Sequence, residues 1–193
     1  MPERKADLDR KQTTAFLGDL LESTRLNAFG IHWAKEVSID PFTKDRARRV
    51  DYMSFQPAGA CYLSDIEKGI FTCYEIKSCR EDVYSGSGLG FIGEKNYLVT
   101  TMQCYKDILP DIRETNKLQE HLDLVSPDST KLYNVGIMVA VPVGRSAEDE
   151  FEFPTQINGT GEWKFSIVIP CREAGRRKST TELLFCMLRS GRE

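Results

Sequence analysis

Apolar positions recur along this chain with two periods, and the switches between them predict the order of its elements. Between about residues 7 and 27, Leu17, Leu20, Leu21 and Thr24 follow i, i+3, i+4, i+7 spacing, which predicts a helix with one face against a sheet. Gly30 suits the stop of that helix. Residues 32–39, 49–55 and 71–77 alternate with period two and read as strands. Residues 57–68 hold Pro57, Gly59, Ser64 and Asp65, the composition of a loop. A fourth strand is expected at residues 96–101, followed by a helical stretch at 102–108 that Pro110 ends.

Further on, residues 111–124 are polar and mixed, either a short helix or an ordered loop. Residues 134–141 form a nearly continuous apolar run, as in a central strand covered on both faces, and Pro142 stops it. Residues 146–150 read as an exposed acidic loop. An edge strand follows at 163–169, closed by Pro170. Ser179 and Glu182 then fit a capping box, with Leu183, Leu184, Met187 and Leu188 as the apolar face of a last helix. The sum is an α/β chain: a mixed sheet of about five to six strands flanked by helices, in one domain of 193 residues.

Candidate chemistry sits where two of these strands change character. On one face of residues 71–77 stand Phe71, Cys73, Glu75 and Lys77, apolar at the start and charged at the end. On one face of residues 49–55 stand Asp51, Met53 and Phe55, charged first and apolar afterwards. Antiparallel pairing that joins the apolar halves sets Asp51 beside Glu75, with the hairpin centre at position 63, inside the loop-like stretch. Two adjacent carboxylates repel unless a proton or a cation intervenes. Mg²⁺ suits such a pair, because it takes one or two carboxylates and keeps several waters. A lysine beside them can orient a nucleophile or stabilise developing charge. The competing interpretation is a solvated hairpin end with an ordinary Glu–Lys pair.

The order of elements around these residues resembles the PD-(D/E)XK nuclease superfamily. The resemblance rests on Arg49-Val50-Asp51, on Tyr74-Glu75-Ile76-Lys77-Ser78, on the run from Arg80 to Tyr84, and on the strand Asn96 to Thr101. It covers residues 12–142, with residues 160–191 as a strand–helix extension. The family's proline before the first acid is Val50 here. The resemblance implies a restriction-endonuclease-like fold and a Mg- or Mn-dependent deoxyribonuclease of bacterial or phage type, in DNA repair or phage DNA processing. It makes Asp51 and Glu75 metal ligands, the Ile76 carbonyl a third, and Lys77 the catalytic lysine. Many members carry a further acid on the first helix; Glu22 is the candidate here, with Asp19 behind it. A catalytically retired relative, binding nucleic acid or scaffolding an assembly, is the second function class, and cutting both strands would favour a homodimer.

Composition narrows this little. The formal net charge is −3, so a nucleic-acid partner must be recognised by local clusters. Arg48 and Arg49 close a basic run from Lys44 that either holds a phosphate backbone beside Asp51 or is a solvated loop. Arg176, Arg177 and Lys178 lie in a tail, residues 172–193, with six basic and three acidic residues, either a backbone contact or a solubility surface. The charged start lacks a secretory leader and no apolar run reaches membrane length, so the expectation is a cytoplasmic protein with no membrane partner. The six cysteines have no zinc-site spacing. His32 and Gln103 are minor candidates, and Asn158-Gly159-Thr160 reads as a turn. The glycines at 86, 88, 90 and 93 form no dinucleotide or phosphate-loop motif; they are a plain connection or a flap over the site.

Overall fold

A computed structural model describes residues 8–40, 48–59, 62–86, 88–126 and 130–190. Expectations for Asp7, residues 44–47, Cys61, Ser87 and residues 191–193 fall outside those segments. The chain is α/β, with one six-stranded mixed sheet whose strands lie in sequence order. The strands are β1 (His32–Ile39), β2 (Arg48–Gln56), β3 (Ile70–Lys77), β4 (Lys95–Thr101), β5 (Val135–Pro142) and β6 (Trp163–Ile169). β1, β2 and β3 form an antiparallel meander, β3, β4 and β5 are parallel, and β6 returns antiparallel at the far edge.

Helices cover both faces. Helix α1 (Arg10–Leu21) starts with a capping box between Asp9 and Gln12 and buries Leu17, Leu20 and Leu21 against Tyr52, Tyr74 and Ile76. It is shorter than the sequence predicts, because a π-helical turn at Glu22–Leu26 succeeds it, and Gly30 takes a positive φ of 78° beyond. The hairpin loop between β2 and β3 contains a short helix, α2 (Leu63–Glu67).

On the opposite face lie α3 (Arg80–Val83), α4 (Met102–Arg113), α5 (Lys117–Val125), α6 (Ala147–Glu152) and α7 (Thr180–Ser190). Pro110 does not end α4. It sits in the last turn, where it gives up the one hydrogen bond to the Lys106 carbonyl but the helix runs on to Arg113, and its own carbonyl accepts from Glu114. Nor is the acidic stretch after Ser146 an exposed loop: Ser146 caps α6, and Glu150 is fully buried against Arg145 and Thr155. β5 is buried along its whole length before Pro142, as its apolar run requires. In α7 the capping box between Ser179 and Glu182 forms and Leu183 and Met187 are buried, while Leu188 faces solvent.

One irregularity sets up the site. The β1–β2 ladder pairs Lys35 with Tyr52 and Val37 with Val50, but skips Glu36 and Asp51 between them. Glu36 has a φ of 53°, a conformation that costs an L-residue about 1–2 kcal/mol. The strand turns over at that point, so Val50 and Met53, an odd number of residues apart, enter the same core.

Candidate active site

β2 and β3 meet in the register that alternation predicts. Tyr52 faces Tyr74 and Phe55 faces Phe71, which brings Asp51 level with Glu75 at the end of the pairing. There Asp51 leaves the ladder and its Oδ2 accepts the backbone N–H of Ile76 at 2.8 Å. Its charge also acts on the neighbouring Glu75 carboxyl.

Glu75 is 0% exposed. Its Oε1 accepts from Gly90 N–H at 3.2 Å, whereas its Oε2 is buried with no donor. Burial, and then the charge of Asp51, hold the Glu75 carboxyl well above the usual carboxylate range, against the opposing pull of Lys77 and the Gly90 amide. A buried acceptor without a donor costs free energy of about 1–3 kcal/mol. Two things relieve it: a proton shared with Asp51, or a cation.

Lys77, two residues on, is 5% exposed on the same side of the strand. Its Nζ lies 3.8 Å from Oδ1 of Asp82. Asp82 was not among the residues expected at this site. Its Oδ2 accepts from the backbone N–H of Ser78 at 3.1 Å and from the Ser78 hydroxyl at 3.3 Å, and Arg10 donates to its Oδ1 at 2.5 Å. Arg10 stands 72 positions away in the chain, so no local pattern reveals the pair.

The glycine-rich connection covers this group. Gly88 has a φ of 79°, and a Cβ there would come within 2.8 Å of Lys77 Nζ and 3.0 Å of Glu75 Oε2. Gly90 packs on the aliphatic part of Arg48. Glycine is needed here because backbone lies directly on charged side chains, so the connection does more than join α3 to β4.

The other expected residues fall in different places. Glu22 is turned to Tyr52, whose hydroxyl donates to it at 2.8 Å, and to Lys35 at 2.5 Å, on the α1 side of the sheet. Helix α1 points its first residue, Arg10, toward Lys77 through Asp82, and its far end delivers Glu22 elsewhere. Asp19 lies on the same far part of the helix. His32 is exposed at the opposite end of β2, level with Phe55, and Gln103 bonds to Asp107 on the surface of α4. Arg49 pairs with Glu36 at 2.5 Å with both side chains largely exposed, beside the irregularity next to Asp51.

Arg176 is committed within the fold. It donates to Glu94, to the Glu67 carbonyl at 2.9 Å, and to the Gly69 carbonyl and the Thr180 hydroxyl, and it stacks on Phe71. A guanidinium has five donors, and these four acceptors absorb most of them. They stand at the start of β3, and at about 3.3 Å per residue the six steps from Phe71 to Lys77 span about 20 Å. Arg177 contacts Thr130 at 3.4 Å, and Lys178 pairs with Asp40 at 2.8 Å.

Chemically, the pair formed by Asp51 and Glu75 is a two-carboxylate oxygen set. Among the described residues no three His, Cys, Asp or Glu side chains converge in the manner of a dedicated metal cage. A hard cation such as Mg²⁺ takes one or two carboxylates with several waters, and the donor-less Oε2 of Glu75 is the oxygen it would use here. Among the described residues no helix is long and apolar enough to cross a membrane. No family model, curated protein or solved structure matches the chain.

Proposed function

We propose that this protein is a Mg²⁺- or Mn²⁺-dependent phosphodiesterase acting on DNA, of the PD-(D/E)XK type. The observation that carries the reading is the convergence of Asp51, Glu75 and Lys77 at one strand end, with Glu75 Oε2 buried and lacking a donor. The strand order, acid on the second strand and Glu-x-Lys on the third, supports it.

Asp51 and Glu75 would hold the ion, with the Ile76 carbonyl between them in the chain. Bound there, a divalent cation polarises a phosphodiester and acidifies water. Asp51 is fixed for this role by the Ile76 amide, so its carboxylate is preorganised. Lys77 presents its ammonium to the charge that develops on the phosphoryl oxygens, from a site shielded from bulk water. Arg49, exposed on the rim, offers a contact for the DNA backbone. A homodimer would present two such sites to a duplex, and cytoplasmic residence would suit both roles.

The second reading, a binding or scaffolding protein with a retired site, is favoured by one feature: the loop through Gly88 and Gly90 encloses Glu75 completely. Cleavage assays on single-stranded, duplex and branched DNA with Mg²⁺ or Mn²⁺ separate the two. Metal-dependent cutting by the wild type, reduced by about 10²-fold or more in Lys77→Ala, establishes the phosphodiesterase. Absence of cutting on every form selects the retired site.

A further inference from the structure

Asp82 has more partners than the hairpin chemistry uses, and they lie on three elements. It is buried in α3, its Oδ2 is occupied by the amide and hydroxyl of Ser78, and its Oδ1 lies between Arg10 of α1 and the ammonium of Lys77 at the end of β3. We propose that Asp82, anchored by Arg10, is a positioning residue for Lys77, holding its ammonium out of a collapsed ion pair with the Asp51–Glu75 carboxyls. This rests on the phosphodiesterase reading for its consequence in catalysis, but the tether itself is a statement about geometry.

The need for such a tether follows from where Lys77 is. A flexible four-carbon stem carries its charge, and Glu75 Oε2 shares with it the space under Gly88. An unrestrained ammonium in a nearly dry site would close onto the nearer carboxylate, because Coulomb attraction strengthens as water is excluded. It would then occupy the oxygen that a cation needs, Glu75 Oε2. A counter-charge outside that pair opposes this. Asp82 supplies it at 3.8 Å, a distance that guides the ammonium without capturing it in a short contact.

Asp82 needs its own restraint for the same reason. Ser78 fixes one oxygen, and Arg10 fixes the other from a helix packed on the other face of the sheet. His121 of α5 also bears on this region: its imidazole is held below its usual range by burial, and the charge of Lys77 adds to the effect. Among the described groups that interact with the Lys77 ammonium are Glu75 from its own strand, Asp82 from α3 and His121 from α5. Asp82 is an acid at Lys77 that does not belong to the carboxylate pair.

Two readouts test this. The first is independent of activity. In metal-free protein, NMR of the Lys77 ε-methylene reports whether its two protons are inequivalent, as a fixed side chain makes them, or averaged. The tether predicts inequivalence in the wild type and averaging or a large shift in Asp82→Asn, which keeps the acceptor for Ser78 but removes the charge. The second readout is steady-state cleavage of DNA with Mn²⁺. Asp82→Asn should lose about 10- to 100-fold in kcat with KM nearly unchanged, the scale of misplacing a reacting group by about 1 Å. Arg10→Ala, at a side chain more than half exposed, should lose less, and Arg10→Lys should recover most of that loss.

An unchanged Lys77 signal in both Asp82→Asn and Arg10→Ala overturns the tether, as does wild-type kcat in Asp82→Asn. Equal losses in kcat for Arg10→Lys and Arg10→Ala overturn the anchoring role of Arg10. A wild type that cleaves no DNA, combined with a released Lys77 in Asp82→Asn, overturns the phosphodiesterase reading and leaves the tether standing.

Discussion

The two ends of β3 each bury a glutamate beside a basic residue, and they treat it in opposite ways. At the start of the strand Glu94 is saturated. Arg176 donates to one oxygen and the Phe71 amide to the other at 3.0 Å, while the rest of the guanidinium ties Glu67, Gly69 and Thr180 together. At the end of the strand Glu75 is left short. One oxygen accepts a 3.2 Å bond from Gly90, the other has no donor, and a second carboxyl lies beside it. The first arrangement is a staple, since every polar atom involved gains by folding. The second is held in place by its surroundings at a cost, which is what the proposed cation site would require.

The comparison can be broken most forcefully at the staple. Arg176→Ala leaves the buried Glu94 carboxylate without its counter-charge and should destabilise the protein by about 3–5 kcal/mol, read from urea unfolding near pH 7. A loss below about 1 kcal/mol would mean that the C-terminal segment is only loosely attached.

Gly88→Ala should follow, at about 1–2 kcal/mol, from the left-handed backbone alone. The added methyl must also displace Lys77, so the substitution should depress any metal-dependent cleavage by more than its effect on the melting temperature suggests. Equal stability of Gly88→Ala and wild type would show that the loop does not lie on Lys77.

Glu75→Gln tests the poised end with the opposite sign. The folded state holds a proton on Glu75 above its ordinary value near 4.5. The unfolded chain gives that proton up first, so this group's contribution is fully present below pH 4.5 and is lost as pH rises through the raised value. Glutamine removes the penalty and should stabilise the protein by about 0.5–2 kcal/mol at pH 8, a gain typical of relieving a strained functional site. Thermal unfolding at pH 5 and pH 8 should show the difference between wild type and variant mainly at the higher pH. Added Mg²⁺ sharpens the contrast: it should raise the melting temperature of the wild type at pH 8 and leave Glu75→Gln unmoved.

The smallest effect belongs to Lys178→Ala. Its pair with Asp40 is partly exposed, so a change within about 0.5 kcal/mol is expected in the same unfolding assay.

Much of the fold was legible because it depends on local periodicity. Strands β1 to β4 and β6, and the capping box of α7, follow from alternation and cap chemistry over a few residues. So did the register of β2 on β3, since a slip by one residue would move every apolar side chain to the wrong face. Glu150 was misread for a complementary reason. An acidic run looks solvated until Arg145 and Thr155 are found folded around one of its members. Pro110 marks the last turn of α4 and not its end, because the helix gives up one backbone hydrogen bond there and continues to Arg113.

By itself, then, the sequence determined the α/β order, the hairpin register and the level placement of Asp51 with Glu75, because these follow from the two-residue and 3.6-residue periods of side chains along a chain. Only the tertiary structure decided which cation meets which acid. It spent Arg176 on a distant staple, turned Glu22 toward Tyr52, and brought Arg10 and Asp82 to Lys77. Such pairings join residues tens of positions apart, and they depend on where whole helices pack on the sheet, which no local period encodes.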